Sequence, residues 1–312
     1  MPGLKFRKKA MLIKIESVYG TDSVPTGAAD AILVGNVDIQ PFVSNPIERQ
    51  NVQPYLGSRQ SLQPDTHVVM EFDIELAGAG TAVDNPPGYG PVLRACALAE
   101  TINAVVDVVY DPVETGEESV SAYFHQDGHK HAVLGVRGSV ELRLNRQQVP
   151  VYHCTLMGLY VGPVALADPA LTLTAFQKPL TVNNANTPTV TLHGFAAKLE
   201  SFTLTQGNNV VHRDLPGEES VQITDRRSVG QIVIELPALG TKDFYAIAKA
   251  ETLGALQIIH GTAAFNIVTI DAANVQILQP EMGESDGLVT MSSPLAFVPS
   301  SAGSDDFSIT TT

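Results

Sequence analysis

Apolar and polar residues alternate with a period of two over most patterned stretches of the chain, which predicts β-strands with one buried face. Met70-Glu71-Phe72-Asp73-Ile74-Glu75-Leu76 alternates without a break, as do Val140-Glu141-Leu142-Arg143-Leu144 and Val221-Gln222-Ile223-Thr224. Ile232-Val233-Ile234-Glu235-Leu236 and Asn266-Ile267-Val268-Thr269-Ile270 are rich in β-branched residues, which pack well on a pleated surface. Turn signals separate the runs: Asn85-Pro86-Pro87-Gly88, Asp127-Gly128, Gln206-Gly207-Asn208, Leu215-Pro216-Gly217 and Gly283 to Gly287. Two segments carry the helical period instead. Residues 91–102 place Val92, Ala95, Cys96, Ala99 and Ile102 on one face behind Pro91. Residues 241–253 offer Thr241 as N-cap, Phe244, Ile247 and Ala248 as the apolar face, and Gly254 as a stop.

The order of these elements recurs. The strand ending at Leu76 leads to a helix containing Leu98-Ala99-Glu100-Thr101, and the strand ending at Leu236 to one containing Lys249-Ala250-Glu251-Thr252. Arg49 with Leu56-Gly57 precedes the first strand, and Arg213 with Leu215-Pro216-Gly217 the second. The halves end in Leu159-Tyr160-Val161-Gly162-Pro163 and Leu295-Ala296-Phe297-Val298-Pro299. A spacing of roughly 135–160 residues is far beyond that of a solenoid repeat and predicts a duplicated domain. The expected fold is mainly β: two tandem β-barrel or β-sandwich domains, each with one flanking helix. The boundaries are an arm and opening passage over residues 1–35, a first domain over 36–176, a polar linker over 177–188, and a second domain over 189–312.

Composition narrows the class. With 44% hydrophobic and 17% charged residues in 312, the chain is globular and long enough for two cores. No stretch approaches the roughly 20 apolar residues of a membrane-spanning helix. The net charge is −14, and it is segregated. Five basic and no acidic residues fall in the first fourteen positions, so the remainder carries −19. An acidic body argues against general duplex binding, which needs a basic face. The apolar run after the basic start is only Ala10 to Ile13, short of the roughly 7–15 residues of a secretory signal. Cys96 and Cys154 read as buried small hydrophobes, consistent with a reducing compartment.

Candidate chemistry is sparse. His125, His129 and His131 crowd seven residues, but Asp127-Gly128 between extended runs predicts a hairpin rather than converging ligands. Gly78-Ala79-Gly80 follows a strand, yet Asn85-Pro86-Pro87-Gly88 stands where a phosphate-binding helix would start, leaving a loop. Glu114, Glu117, Glu118, Glu218 and Glu219 neighbour glycine in turn-like contexts and read as solvated charge. Carboxylate pairs can hydrolyse glycosides, but such sites hold sugars on aromatic platforms and this chain has no Trp. The expectation is no catalytic residue, no metal and no cofactor; the protein is not an enzyme.

The passage Glu16-Ser17-Val18-Tyr19-Gly20-Thr21-Asp22, continuing through Pro25-Thr26-Gly27-Ala28 to Asp30-Ala31-Ile32, resembles the opening of the tail tube (major tail) proteins of long-tailed, siphovirus-type bacteriophages. Leu93-Arg94-Ala95-Cys96-Ala97-Leu98-Ala99-Glu100-Thr101 and Asp127-Gly128 followed by Gly135-Val136-Arg137-Gly138 add to it in the same order. The resemblance covers most of residues 14–160, and the second half looks like a divergent copy without the opening passage.

That resemblance implies a β-barrel or sandwich with a flanking helix, whose copies join edge to edge into rings. Stacked rings make the virion's tail tube, through which the genome is ejected; assembly would take place in the host cytoplasm. With six barrels per ring, a two-barrel chain implies a self-assembling homotrimer of pseudo-sixfold symmetry, a hexamer being the alternative. Expected partners are further copies and other tail proteins at the tube ends, with DNA passing through the lumen without specific binding. Inter-ring contacts are expected at Lys5, Arg7, Lys8, Lys9, Tyr19, Asp22, Arg49 and Tyr55, from the arm and the loops over residues 45–63 and 77–90. A baseplate, tail-tip or adhesin protein of tandem β domains is the competing reading.

Overall fold

The computed structural model describes residues 3–312. The protein is mainly β, with 49% of residues in strands and 4% in helix. The first half opens with β1 (Lys9–Ile15), β2 (Ala31–Ile32) and β3 (Gly35–Val43). A short ladder of β4 (Ile47–Glu48) and β5 (Ser61–Leu62) carries a long loop into β6 (His67–Glu75). After helix α1 (Gly90–Ala95) come β7 (Leu98–Asn103), β8 (Asp107–Pro112), β9 (Val120–Gln126), the 17-residue β10 (His129–Asn145), β11 (Val151–Tyr160) and β12 (Val164–Ala165). The second half supplies β13 (Thr189–Leu192), β14 (Phe195–Ala196), β15 (Leu199–Thr205), β16 (Asn208–Leu215), β17 (Glu218–Arg226) and β18 (Val229–Glu235). Helix α2 (Phe244–Lys249) precedes β19 (Leu253–His260), β20 (Val268–Ile277), β21 (Glu281–Ser285), β22 (Leu288–Phe297) and β23 (Ser308–Thr311).

All pairings are antiparallel. In the first half the neighbours run β1-β9-β10-β11-β6-β3. In the second they run β13-β19-β20-β22-β18-β15, with β21 on the same side of β22 as β20. Strand for strand, the two orders follow the same path through the sequence. The halves are also joined. The C-terminal end of β10 pairs with β15, from Glu141 opposite Thr205 to Asn145 opposite Ser201. The β7–β8 hairpin reaches across to β23, with Tyr110 opposite Ile309.

The alternation seen in sequence is what fills the core. Met70, Phe72, Ile74 and Leu76 are buried while Glu71 and Glu75 face out, and Val140, Leu142 and Leu144 repeat this on β10. One apolar core runs through both halves and includes Phe72, Tyr152, Phe202, Ile234 and Phe297. Asp127 and Gly128 both take positive φ, 42° and 91°, as a tight two-residue hairpin requires. Asp286 and Gly287 do the same between β21 and β22, so the turn there is two residues long and Gly283 lies within a strand.

Both helices are shorter than their periodic patterns. Helix α1 stops at Ala95 because Ala97 turns left-handed, φ 57°. Leu98–Asn103 then pairs with β8, which leaves Ile102 52% exposed rather than on a helical face. Helix α2 starts at Phe244, capped not by Thr241 but by Asp243, whose carboxylate accepts the Ala246 N–H at 2.9 Å. It ends before the left-handed Glu251, φ 54°, and Gly254 belongs to β19. At α1 a strand partner outcompetes a weak helical preference.

Candidate assembly interface

The opening passage folds back on the chain that carries it. Glu16 is buried, and its carboxylate accepts from Gly20 N–H (2.8 Å), Ser119 Oγ–H (2.6 Å), Ser121 Oγ–H (2.9 Å) and Gly135 N–H (2.9 Å). Four donors replace the water such a group would lose on burial. Three residues on, the Tyr19 hydroxyl accepts the Val221 N–H of β17 at 2.5 Å while its ring lies under the Arg137 guanidinium. Burial holds the Tyr19 phenol above its ordinary titration range. Asp22 accepts from Tyr123 Oη–H at 2.5 Å, and Asp30 from the Thr26 N–H at 2.7 Å. Tyr19 and Asp22 therefore make their polar contacts within the chain.

The loop between β3 and β6 is built the opposite way. Nearly every residue from Ile47 to Gln63 is exposed, and Val52, Tyr55 and Leu56 stand 99%, 68% and 102% accessible. Arg49 lies beside them, also exposed. Three apolar side chains within five residues are thus held in solvent, an exposure that burial against another surface would relieve. Leu56 enters the sequence pattern only beside Gly57, and Val52 not at all; both are apolar residues inside an Asn-, Gln-, Pro- and Ser-rich stretch.

The basic arm is short. Lys9 already belongs to β1, so only residues before it precede the sheet. Asp127 at the β9–β10 turn accepts from the Lys8 ammonium at 2.8 Å and the Lys5 N–H at 2.7 Å, and these hold its carboxyl below the usual range. Lys9 Nζ donates to the Val37 carbonyl at 3.2 Å and sits 3.9 Å over the Phe6 ring. Arg7 is exposed.

Two further edges are open. β3 pairs with β6 on one side, β21 with β22 on one side, and neither has a second neighbour among the described residues. Pro41 lies on β3, where an unpaired edge tolerates a residue lacking its N–H. β21 presents Met282 at 69% exposure.

The segments weighed for chemistry are dispersed. His125 is buried on β9, where burial lowers its imidazole pKa; His131 is half-buried against Phe124, and His129 is exposed at the turn. The Gly78 and Gly80 N–H groups are taken by Asn266 Oδ1 and the Phe265 carbonyl, both at 2.7 Å. Glu118 forms a two-point pair with Arg94, each contact 2.6 Å. Cys96 and Cys154 are free, buried thiols. No helix of the described residues is long and apolar enough to cross a membrane.

Against known proteins, the family model described as phage tail tube protein matches residues 7–299. That is nearly the whole chain, and the chain belongs to the phage tail tube protein family. The family makes it a structural component of a phage tail, located in the virion. A search of curated proteins returned no match.

Proposed function

We propose that this chain closes into trimeric rings of pseudo-sixfold symmetry that stack into the tail tube of a siphovirus-type phage, the conduit for genome ejection. The observation that carries the reading is the joint between its own halves. Two units, one from β1 to β12 and one from β13 to β23, follow one strand order and meet where β10 pairs with β15. Aligning Ile74-Glu75-Leu76 with Ile234-Glu235-Leu236 sets β3 against β15: Gln40 and Thr205 face Val69 and Val229, and Ile39 and Leu204 face Met70 and Gly230. On the other flank β21 matches the end of β10. Leu142 faces Tyr152, itself opposite Ile74, and Met282 faces Met291, itself opposite Ile234.

The two open edges are thus the counterparts of the two strands already joined. Repeating the internal joint between molecules sets β21 of one copy antiparallel to β3 of the next, with Glu281 opposite Gln40, Met282 opposite Ile39 and Gly283 opposite Asp38. Leu142, the counterpart of Met282, is 2% exposed because β15 covers it. Each new edge meets a complementary one, a heterologous contact that makes a ring where the rotation between copies closes. Three chains then supply six units. The loop with Arg49, Val52, Tyr55 and Leu56 and the arm with Lys5, Arg7, Lys8 and Lys9 supply the contacts between rings; Tyr19 and Asp22 hold the base from which they project. The acidic body keeps the lumen from binding DNA, by repulsion that salt limits to about 8 Å.

The test is an Ile39→Cys, Met282→Cys double variant, oxidised after assembly. The expected product is a covalent ladder ending at three chains, in hollow filaments seen by negative stain. A ladder ending at six overturns the trimer, and rings without cross-links overturn the β21–β3 joint.

A further inference from the structure

At the foot of the exposed loop, three residues from both halves converge on one point. Asp65 and His67 lie where the chain enters β6, and His212 comes from β16. His212 is held between two carboxylates, its Nδ1 2.7 Å from Asp65 Oδ1 and its Nε2 3.1 Å from Glu219 Oε1. The His67 ring stacks on that of His212 with centroids 4.9 Å apart. His67 is 9% exposed, and its Nδ1 is buried without a hydrogen-bond partner, 3.6 Å from the same Asp65 oxygen.

Protons alone leave this group poorly satisfied. A neutral imidazole has one N–H. If His212 gives it to Glu219, its Nδ1 lone pair faces a carboxylate oxygen. If His212 carries two, His67 Nδ1 still stands 3.6 Å from Asp65, too far for a good hydrogen bond. A cation seated among Asp65 Oδ1, His67 Nδ1 and His212 Nδ1 satisfies all three.

We infer that Asp65, His67 and His212 form a binding site for a divalent transition-metal ion, with zinc the best match. Two imidazoles and a carboxylate suit zinc and its neighbours, whereas calcium and magnesium take oxygen donors. The three ligand atoms lie within 4.8 Å of one another. Ligands bound to one tetrahedral zinc at 2.0–2.1 Å stand about 3.3 Å apart. The observed 2.7 and 3.6 Å lie on either side of that spacing. Glu219 is the positioning residue: accepting from Nε2 of His212, it selects the tautomer whose Nδ1 is free to ligate. Asp65 Oδ2 already accepts from Asn45 Nδ2 at 3.1 Å, so an ion here ties both stems of the loop to the β16–β17 hairpin. The site does not depend on ring stoichiometry, and its test uses binding alone.

Metal-stripped, untagged full-length protein is titrated with Co²⁺ and followed by visible ligand-field absorption, with Zn²⁺ added as competitor. One Co²⁺ per chain is expected, displaced by Zn²⁺. His67→Ala and His212→Ala should each weaken binding at least about tenfold, with a circular dichroism spectrum unchanged. Glu219→Gln should weaken it by a smaller factor, at the lower end of the roughly 10–100-fold typical of outer-shell partners. Asp65→Asn, which keeps the shape, is the second probe where an alanine variant misfolds. Absence of a stoichiometric band overturns the site. So does a band that survives His67→Ala and Asp65→Asn but is lost in His129→Ala or His131→Ala.

Discussion

The opening passage and the β3–β6 loop occupy similar lengths of chain, and residues of both are among the expected inter-ring contacts. Within the chain they are built in opposite ways. Between Glu16 and Asp30 the polar groups turn inward and find partners on β9, β10 and β17. Between Ile47 and Gln63 the chain makes few contacts of its own and holds Val52, Tyr55 and Leu56 in solvent. Polar residues in an irregular segment can be satisfied at home by backbone and hydroxyl partners. Apolar ones can be satisfied only by burial, and here no part of the same chain supplies it.

The sharpest break in that contrast is Glu16→Ala. It leaves buried donors from Ser119, Ser121 and Gly135, and the half-buried Gly20 N–H, without an acceptor, each buried one worth about 1–3 kcal/mol. We expect a loss of about 4 kcal/mol in urea unfolding, and a loss below 1 kcal/mol would mean the passage is not a structural staple. Next is the double change Val52→Ser, Leu56→Ser. Stability of the unassembled chain should stay within about 0.5 kcal/mol. The concentration needed for filaments should rise at least tenfold, since each side chain buried between rings contributes about 1.5–3 kcal/mol. Filaments forming at an unchanged concentration would assign the loop elsewhere.

Removing residues 1–8 tests the arm. Because Lys9 begins β1, the cut must stop before it. Filament length in sedimentation should fall several-fold while rings persist; equal loss of both refutes an inter-ring role. The smallest effect concerns Asp73, which accepts from Asn36 at 2.7 Å and lies 2.8 Å from His153 Nδ1. Burial alone would raise its pKa, but those two contacts and the nearby Arg143 charge outweigh it and hold the carboxyl below its ordinary range. A depressed folded-state pKa gives stability that is present above about pH 3.9 and lost as pH falls through the folded value. Asp73→Asn should therefore flatten the acid limb of a stability–pH curve; an unchanged limb excludes that contribution.

Much of this was legible in the sequence where one residue type allows one answer. Strict alternation from Met70 to Leu76 gives a half-buried strand, and Asp127-Gly128 gives a two-residue hairpin. The helices overshot because Leu98-Ala99-Glu100-Thr101 continues an apolar face that fits either period, and nothing in Ala97 itself announces a left-handed turn. The arm and loop stand out in the sequence by charge and polarity, but Glu16 could not be told from a surface carboxylate. His212 lies 147 residues from Asp65. Only the Asp65-Thr66-His67 spacing, two side chains on one face at a strand's start, was there to be noticed.

The pairing of β8 with β23 sets a timetable. Val108 and Thr311 are 203 positions apart, joined by the Thr311 hydroxyl donating to the Val108 carbonyl at 3.5 Å. Contacts of such separation form late, after the entropy of closing the intervening chain has been spent. Until then the β7–β8 hairpin lacks its neighbour, and the core shared by the two halves stays unsealed.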